Sequence, residues 1–227
     1  MKGIFYSVGM GPGDSELMTR KAISIINTCE VIAVPDSQGS ENVVLGIAGE
    51  LADGKIIVCC DSPMIRDQAV IDRCHRSNAE NLATYLDQGL SIAYLTLGDP
   101  SIYSTAIYIQ RHLIDLGYDT RMVPGVPSFC AVAARLNQPL CESSQSLHII
   151  PATIEAVEQA LQSTGTQIFM KAGKNIRHIK QALKQQSKIA QAVERCGMRD
   201  EKVHCNLDTL DEQASYFSVV IVKEANL

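Results

Sequence analysis

The chain has 227 residues, 46% hydrophobic and 20% charged, with a formal net charge of −5. That balance suits a globular protein with a real core, as one large domain or two small ones. With no Trp, four Phe and no stretch dominated by Lys and Arg, it argues against a nucleic-acid surface, and no apolar run approaches the roughly 20 residues that span a bilayer.

Residues 2–9 read as a first strand, too short before Gly9 for a signal peptide, so a soluble, cytoplasmic protein is expected. A glycine-rich turn, Gly9–Asp14, follows, then a helix over Ser15–Asn27 and a buried strand, Val31–Val34, stopped by Pro35. A helix over Glu41–Leu51, a strand over Lys55–Cys59 and a helix over Gln68–Asp87, ended by Gly89, come next. Ser91–Thr96 is an apolar, β-rich run, Ile102–Leu116 repeats apolar residues at helical spacing, and Asp119–Val123 is the next strand. This alternation predicts a parallel α/β sheet with right-handed crossovers.

Pro124–Ser128 punctuates the middle, and the boundary is placed there, giving lobes 1–124 and 125–227. The second lobe alternates again. Helices are expected at Phe129–Leu136, 153–162 and 175–185, with strands at Leu147–Pro151, Gln167–Lys171 and Ile189–Val193. A closing strand, Tyr216–Val222, has no helix after it and is expected to run antiparallel, so this sheet is mixed.

The eight cysteines form no CxxC pair, and ligand spacing for a structural zinc is absent. They are expected as reduced thiols, most of them small hydrophobes in apolar segments. His204 and Cys205 are neighbours on a strand and face opposite ways.

Two turns invite a ligand. In a parallel sheet small molecules bind beyond the carboxyl ends of strands, where Gly98-Asp99-Pro100 sits between a strand and a helix. Gly98 lets a ligand approach the backbone, and Ser101, Ser104 and Thr105 bring hydroxyls near a helix start. The turn Gly9–Asp14 suggests a dinucleotide fingerprint but departs from it. It reads G-x-G-x-G, and Pro12 removes an N–H that a pyrophosphate would use.

Together the segments Ser7–Asp14, Leu17–Ala22, Leu97–Thr105 and Val123–Ser128 resemble the tetrapyrrole methylase family, in that order and over nearly the whole chain. Asp99–Thr105, Ser62–Asp67 and Tyr216–Val222 resemble the branch that methylates carbon 20 of the cobalamin precursor, cobalt-factor II or precorrin-2. The resemblance implies two α/β lobes with S-adenosylmethionine (SAM) in the cleft between them. It implies SAM contacts from Pro12, Leu97, Gly98, Asp99, Ile102, Pro127, Ser128, Met170 and Cys196, the last through its backbone. Pro127 stands where the family often has Ser or Thr. The resemblance further implies a homodimer, a tetrapyrrole substrate and no protein-bound metal.

Methyl transfer from a sulfonium rests on in-line positioning, and the attacked meso carbon must then lose a proton. Asp99 and Tyr103 are the candidates near it, with a water or a substrate carboxylate as alternatives. An acidic chain must hold a polycarboxylate with local cations. Arg66 is the first candidate, with Arg73, Arg76, Lys171, Lys174 and Arg177 behind it. Two other readings stay open: a methylase of the same family acting at another ring position or on rRNA, and a non-catalytic SAM-binding regulatory protein.

Overall fold

The computed structural model describes residues 1–36, 42–63, 65, 67–184 and 186–225. Two compact units divide between Pro127 and Ser128. In the first, β1 (Phe5–Gly9), α1 (Arg20–Thr28), β2 (Val31–Pro35), α2 (Val43–Ala48), β3 (Ile56–Cys60), α3 (Gln68–Asp87), β4 (Ile92–Thr96), α4 (Ala106–Asp115) and β5 (Thr120–Val123) alternate. The strands pair in parallel in the order β3-β2-β4-β1-β5.

Both faces of this sheet are apolar because helices cover both. Phe5, Ile92 and Tyr94 pack against Leu82 and Leu86 of α3 and Ile109 and Leu113 of α4. Val8, Ile32 and Leu95 pack against Ile26 of α1 and Ile47 of α2. Each such side chain contributes about 1.5–3 kcal/mol on burial. Connections leaving β1 and β4 therefore go to opposite faces. The carboxyl ends of those two strands are therefore the topological switch point, the place where such sheets bind ligands.

Local capping sets where helices begin. The expected helix from Ser15 is split: Ser15–Leu17 is a 3-10 turn, Met18 is extended, and Thr19 caps α1 by accepting from Ala22 N–H at 3.1 Å. Asp67 caps α3, accepting from Ala69 and Val70 N–H at 3.0 and 3.2 Å.

The second unit holds α5 (Ser128–Arg135), β6 (Leu147–Pro151), α6 (Ile154–Leu161), β7 (Thr166–Met170), α7 (Ile176–Leu183), β8 (Lys188–Glu194), β9 (Lys202–His204) and β10 (Ser218–Glu224). Its sheet is mixed, ordered β6-β7-β10-β8-β9, and β10 runs antiparallel to both neighbours as its position at the chain's end suggested. Phe169, Ala192, Val220 and Val222 bury one face under Val157 and Leu161 of α6 and Ile176 and Ile179 of α7. No described helix is long and apolar enough to cross a membrane.

All eight cysteines are free, but Cys59, Cys130, Cys141 and Cys205 are exposed, so the small-hydrophobe reading holds only for Cys29, Cys60 and Cys196. Cys59 points outward from β3 by the period-2 alternation of a strand, Cys130 lies on the outer side of α5, and Cys141 and Cys205 lie outside the strands and helices.

One buried polar chain aligns α4 on the sheet. Ser7 of β1 donates to Gln110 Oε1 at 2.8 Å, and Gln110 Nε2 donates to Thr120 Oγ1 of β5 at 3.3 Å. Gln110→Leu leaves the buried Ser7 hydroxyl without its partner and is expected to cost about 1–3 kcal/mol in urea unfolding.

Candidate functional site

The three sequence motifs of the first unit end three adjacent strands. The turn after β1 holds Gly9–Asp14, that after β4 holds Leu97–Ser101, and that after β5 holds Pro124–Pro127. Backbone pairing knits the first two together. Met10 N–H donates to Thr96 O at 2.9 Å, and Gly11 and Gly98 exchange both bonds at 3.3 and 2.7 Å.

Gly98 has φ +73°, so its place in this bridge asks for glycine whatever approaches it. That changes the expectation. Gly98 is required first by its own backbone and not only by a ligand. A third glycine was not singled out in the sequence. A Cβ on Gly125 would lie 2.2 Å from Gly98 O and 2.8 Å from Gly9 Cα. The turn after β5 thus packs backbone on backbone against the other two, and the signal for it was the unusual Pro-Gly-Val-Pro run itself.

Asp99 joins the same turns. Its Oδ1 accepts from Ser101 N–H at 2.8 Å and from Ser101 Oγ at 2.5 Å, and its Oδ2 accepts from Gly125 N–H at 2.9 Å. Thr19 Oγ1 adds a bond to Pro124 O at 3.3 Å. Both carboxylate oxygens therefore shape the turns, a structural part for Asp99 beside the catalytic one expected from the sequence. The hydroxyls are engaged too: Ser104 is buried, 2.7 Å from Thr96 Oγ1, and accepts from Ala106 N–H at 3.2 Å.

Tyr103 follows in a left-handed conformation, φ +49°, and is exposed. Partial burial pushes its phenol up, which favours the protonated form. Pro12 is buried, and Leu97, Ile102 and Pro127 are half-buried around these turns.

The remaining expected residues belong to the second unit. Ser128 opens α5 and Met170 ends β7, half-buried. Cys196 is buried beside Glu201; burial first, then the Glu201 charge, pushes its thiol up to about 12. Glu201 also accepts from Gly197 N–H at 2.8 Å and pairs with Arg135, so this corner carries its own structural network. Arg66 lies outside the described residues. Arg76 pairs with Asp72 at 3.8 Å and Arg177 with Glu212 at 3.9 Å, both in solvent, where such pairs are weak.

The charged side chains of the three turns differ from those of a phosphate site. Gly9–Asp14, Leu97–Thr105 and Val123–Pro127 contain Asp14 and Asp99 and not one Lys or Arg. A pyrophosphate finds no cation there, whereas a sulfonium cation meets glycine backbone and a carboxylate. Among the described residues no His, Cys, Asp and Glu gather in a group that could hold a metal ion.

Comparison with known proteins agrees with this arrangement. The family described as Tetrapyrrole (Corrin/Porphyrin) Methylases matches residues 5–211. The chain belongs to that family. It is 33% identical over 223 residues to a Methanocaldococcus jannaschii protein named a probable cobalt-precorrin-2 C(20)-methyltransferase, covering 96% of this chain and 95% of the relative. It is 29% identical over 232 residues to the cobalt-precorrin-2 C(20)-methyltransferase of Salmonella typhimurium, covering 99% and 98%. Its fold matches that of the uroporphyrin-III C-methyl transferase of Thermus thermophilus solved with S-adenosylhomocysteine, at TM-score 0.68, 20% identity and 98% coverage of each chain. The methylase is thus an α/β enzyme of this family, with its three glycine turns at the strand ends of the first sheet.

Two variants test the geometry. Gly125→Ala forces a Cβ into Gly98 O and is expected to destabilise the protein by more than ~3 kcal/mol in urea, since backbone cannot give way as a side chain does. Asp99→Asn is expected to cost about 1–3 kcal/mol, because either amide orientation turns an NH₂ toward a backbone N–H of Ser101 or Gly125. Melting curves of the folded variants check both.

Proposed function

We propose that this methylase transfers a methyl group from SAM to carbon 20 of a precorrin-2-type tetrapyrrole, cobalt-factor II or precorrin-2, in cobalamin biosynthesis. The observation that carries the reading is the similarity, over nearly the full length of both chains, to the two C(20)-methyltransferases described above. The cation-free glycine turns support SAM as donor. The solved Thermus relative with bound S-adenosylhomocysteine supports it as well. When bound, SAM supplies an electrophilic methyl group on a sulfonium centre.

Pro12, Leu97, Gly98, Asp99, Ile102, Pro127, Ser128, Met170 and Cys196 are the proposed contacts, mostly through backbone. Asp99 and Tyr103 are retained as site residues with altered parts. Asp99 holds the turns after β4 and β5 in register, and its charge favours a neighbouring cation. Tyr103 offers a protonated phenol as donor. The meso proton then leaves to a water or to a carboxylate of the substrate. The protein is further taken to work in the cytoplasm as a homodimer, without a bound metal, and Arg66 to meet the substrate.

Incubation with SAM and each precursor, followed by mass and NMR location of the new methyl, tests the function. Methylation at another carbon, or none, refutes it. Tyr103→Phe is expected to lower the single-turnover rate by less than about tenfold, against the ~10²–10⁴-fold loss that follows removal of a general base. Calorimetric SAM titration alongside separates a rate effect from lost binding.

A further inference from the structure

The second sheet carries an unusual edge. β7 and β8 run the same way, each antiparallel to β10 between them, so their carboxyl ends and the start of β10 lie together. The residue that follows each strand is a cation in the left-handed region: Lys171 at φ +58° after β7 and Arg195 at φ +50° after β8. Non-glycine residues rarely adopt this conformation, and Gly or Asn would suit it better. A long cationic side chain at such a position is a backbone outlier that points to a role for its chemistry.

Each cation lies over an aromatic ring of the segment that leads into β10. Lys171 Nζ is 5.7 Å from the Tyr216 centroid, and the Arg195 guanidinium carbon is 5.9 Å from that of Phe217. The rings meet edge to face, 5.5 Å apart at 78°. Backbone bonds hold the frame: Arg195 N–H to Phe217 O at 3.1 Å and Ala172 N–H to Ser218 O at 3.2 Å. Gly173 packs so closely on this segment that a Cβ would come within 2.3 Å of Ser215 O.

The two halves of the cluster differ. Arg195 is neutralised by Asp200 at 2.5 Å and is mostly covered, so it braces Phe217. Lys171 and Tyr216 are exposed, the tyrosine by 40%. An exposed ammonium beside an exposed ring on a braced frame suits a ligand that joins a flat conjugated face to carboxylates.

We propose that Lys171 and Tyr216 are specificity-determining residues that receive the flat face and a peripheral carboxylate of the macrocyclic substrate, with Arg195 and Phe217 bracing them. This rests on the tetrapyrrole reading above and adds the residues on the second unit that would select the substrate.

The test is direct binding of uroporphyrin, a flat polycarboxylate macrocycle, to the full-length protein, followed by its absorbance shift, with SAM affinity measured separately. Lys171→Asn keeps a residue that tolerates the left-handed backbone and removes the charge. It is expected to stay folded, to bind uroporphyrin at least tenfold more weakly and with less dependence on salt, and to bind SAM as before. Lys171→Arg is expected to restore most of the affinity, and Tyr216→Ala to weaken it with SAM binding unchanged. Lys184→Asn is the control. It lies at the end of α7, toward the opposite end of the sheet, and is expected to change neither affinity. Unchanged uroporphyrin affinity in Lys171→Asn overturns the proposal, as does an equal loss of SAM affinity or a wild type that does not bind uroporphyrin. Lysine-dependent binding together with methylation at another carbon would refute the carbon-20 reading alone. Methylation at carbon 20 with a silent Lys171→Asn would refute this inference alone.

Discussion

Asp99 accepts the Gly125 N–H with one oxygen and Ser101 with the other, and the turns after β4 and β5 depend on that carboxylate for their common shape. Next to it three glycines bring three strand ends into backbone contact, which no side chain at Gly125 would permit. The hydrogen bonds and the contact work together. The contact leaves no slack, and the carboxylate supplies the direction that backbone packing alone lacks. Turns packed this way present chiefly peptide groups held in place by one another, and such pre-organisation favours reactions that rest on positioning.

The same arrangement accounts for charge. A pyrophosphate site is built from N–H donors at a helix start, in a field that favours negative charge. Here Pro12 removes a donor, and the charged side chains of the turns are two aspartates. The glycine spacing already departs from the dinucleotide fingerprint, and the placement of proline and acid departs from it further. In the second unit the balance reverses locally, with Lys171 and Arg195 at one sheet edge despite a net acidic chain.

Much of the fold was legible because alternation of apolar runs and helical periods is a long-range signal repeated many times. β9, three residues long, had too few positions to show a period. The split at Thr19 was missed because apolar spacing runs on through Leu17 and Met18, although Thr19 with Ala22 is an ordinary cap. At the candidate site, Gly98 and Asp99 were readable as a strand-to-helix turn. The partner of Asp99 was not, since Gly125 lies 26 residues further on and a backbone N–H has no sequence signature. The engaged carboxylate is therefore a structural part that sequence reasoning, which sees an acid and imagines a base, does not supply. The positive φ of Lys171 and Arg195 was equally invisible, since neither residue type announces it.

The thiols carry a consequence for a protein that handles an alkylating agent. Burial pushes Cys29, Cys60 and Cys196 up to about 12, so each stays a protonated thiol and a poor nucleophile toward soft electrophiles. Cys59, Cys141 and Cys205 sit at the surface. Self-damage by stray alkylation would therefore collect on the outside of the molecule, sparing the packed interior, and iodoacetamide should mark these exposed thiols long before it reaches the core.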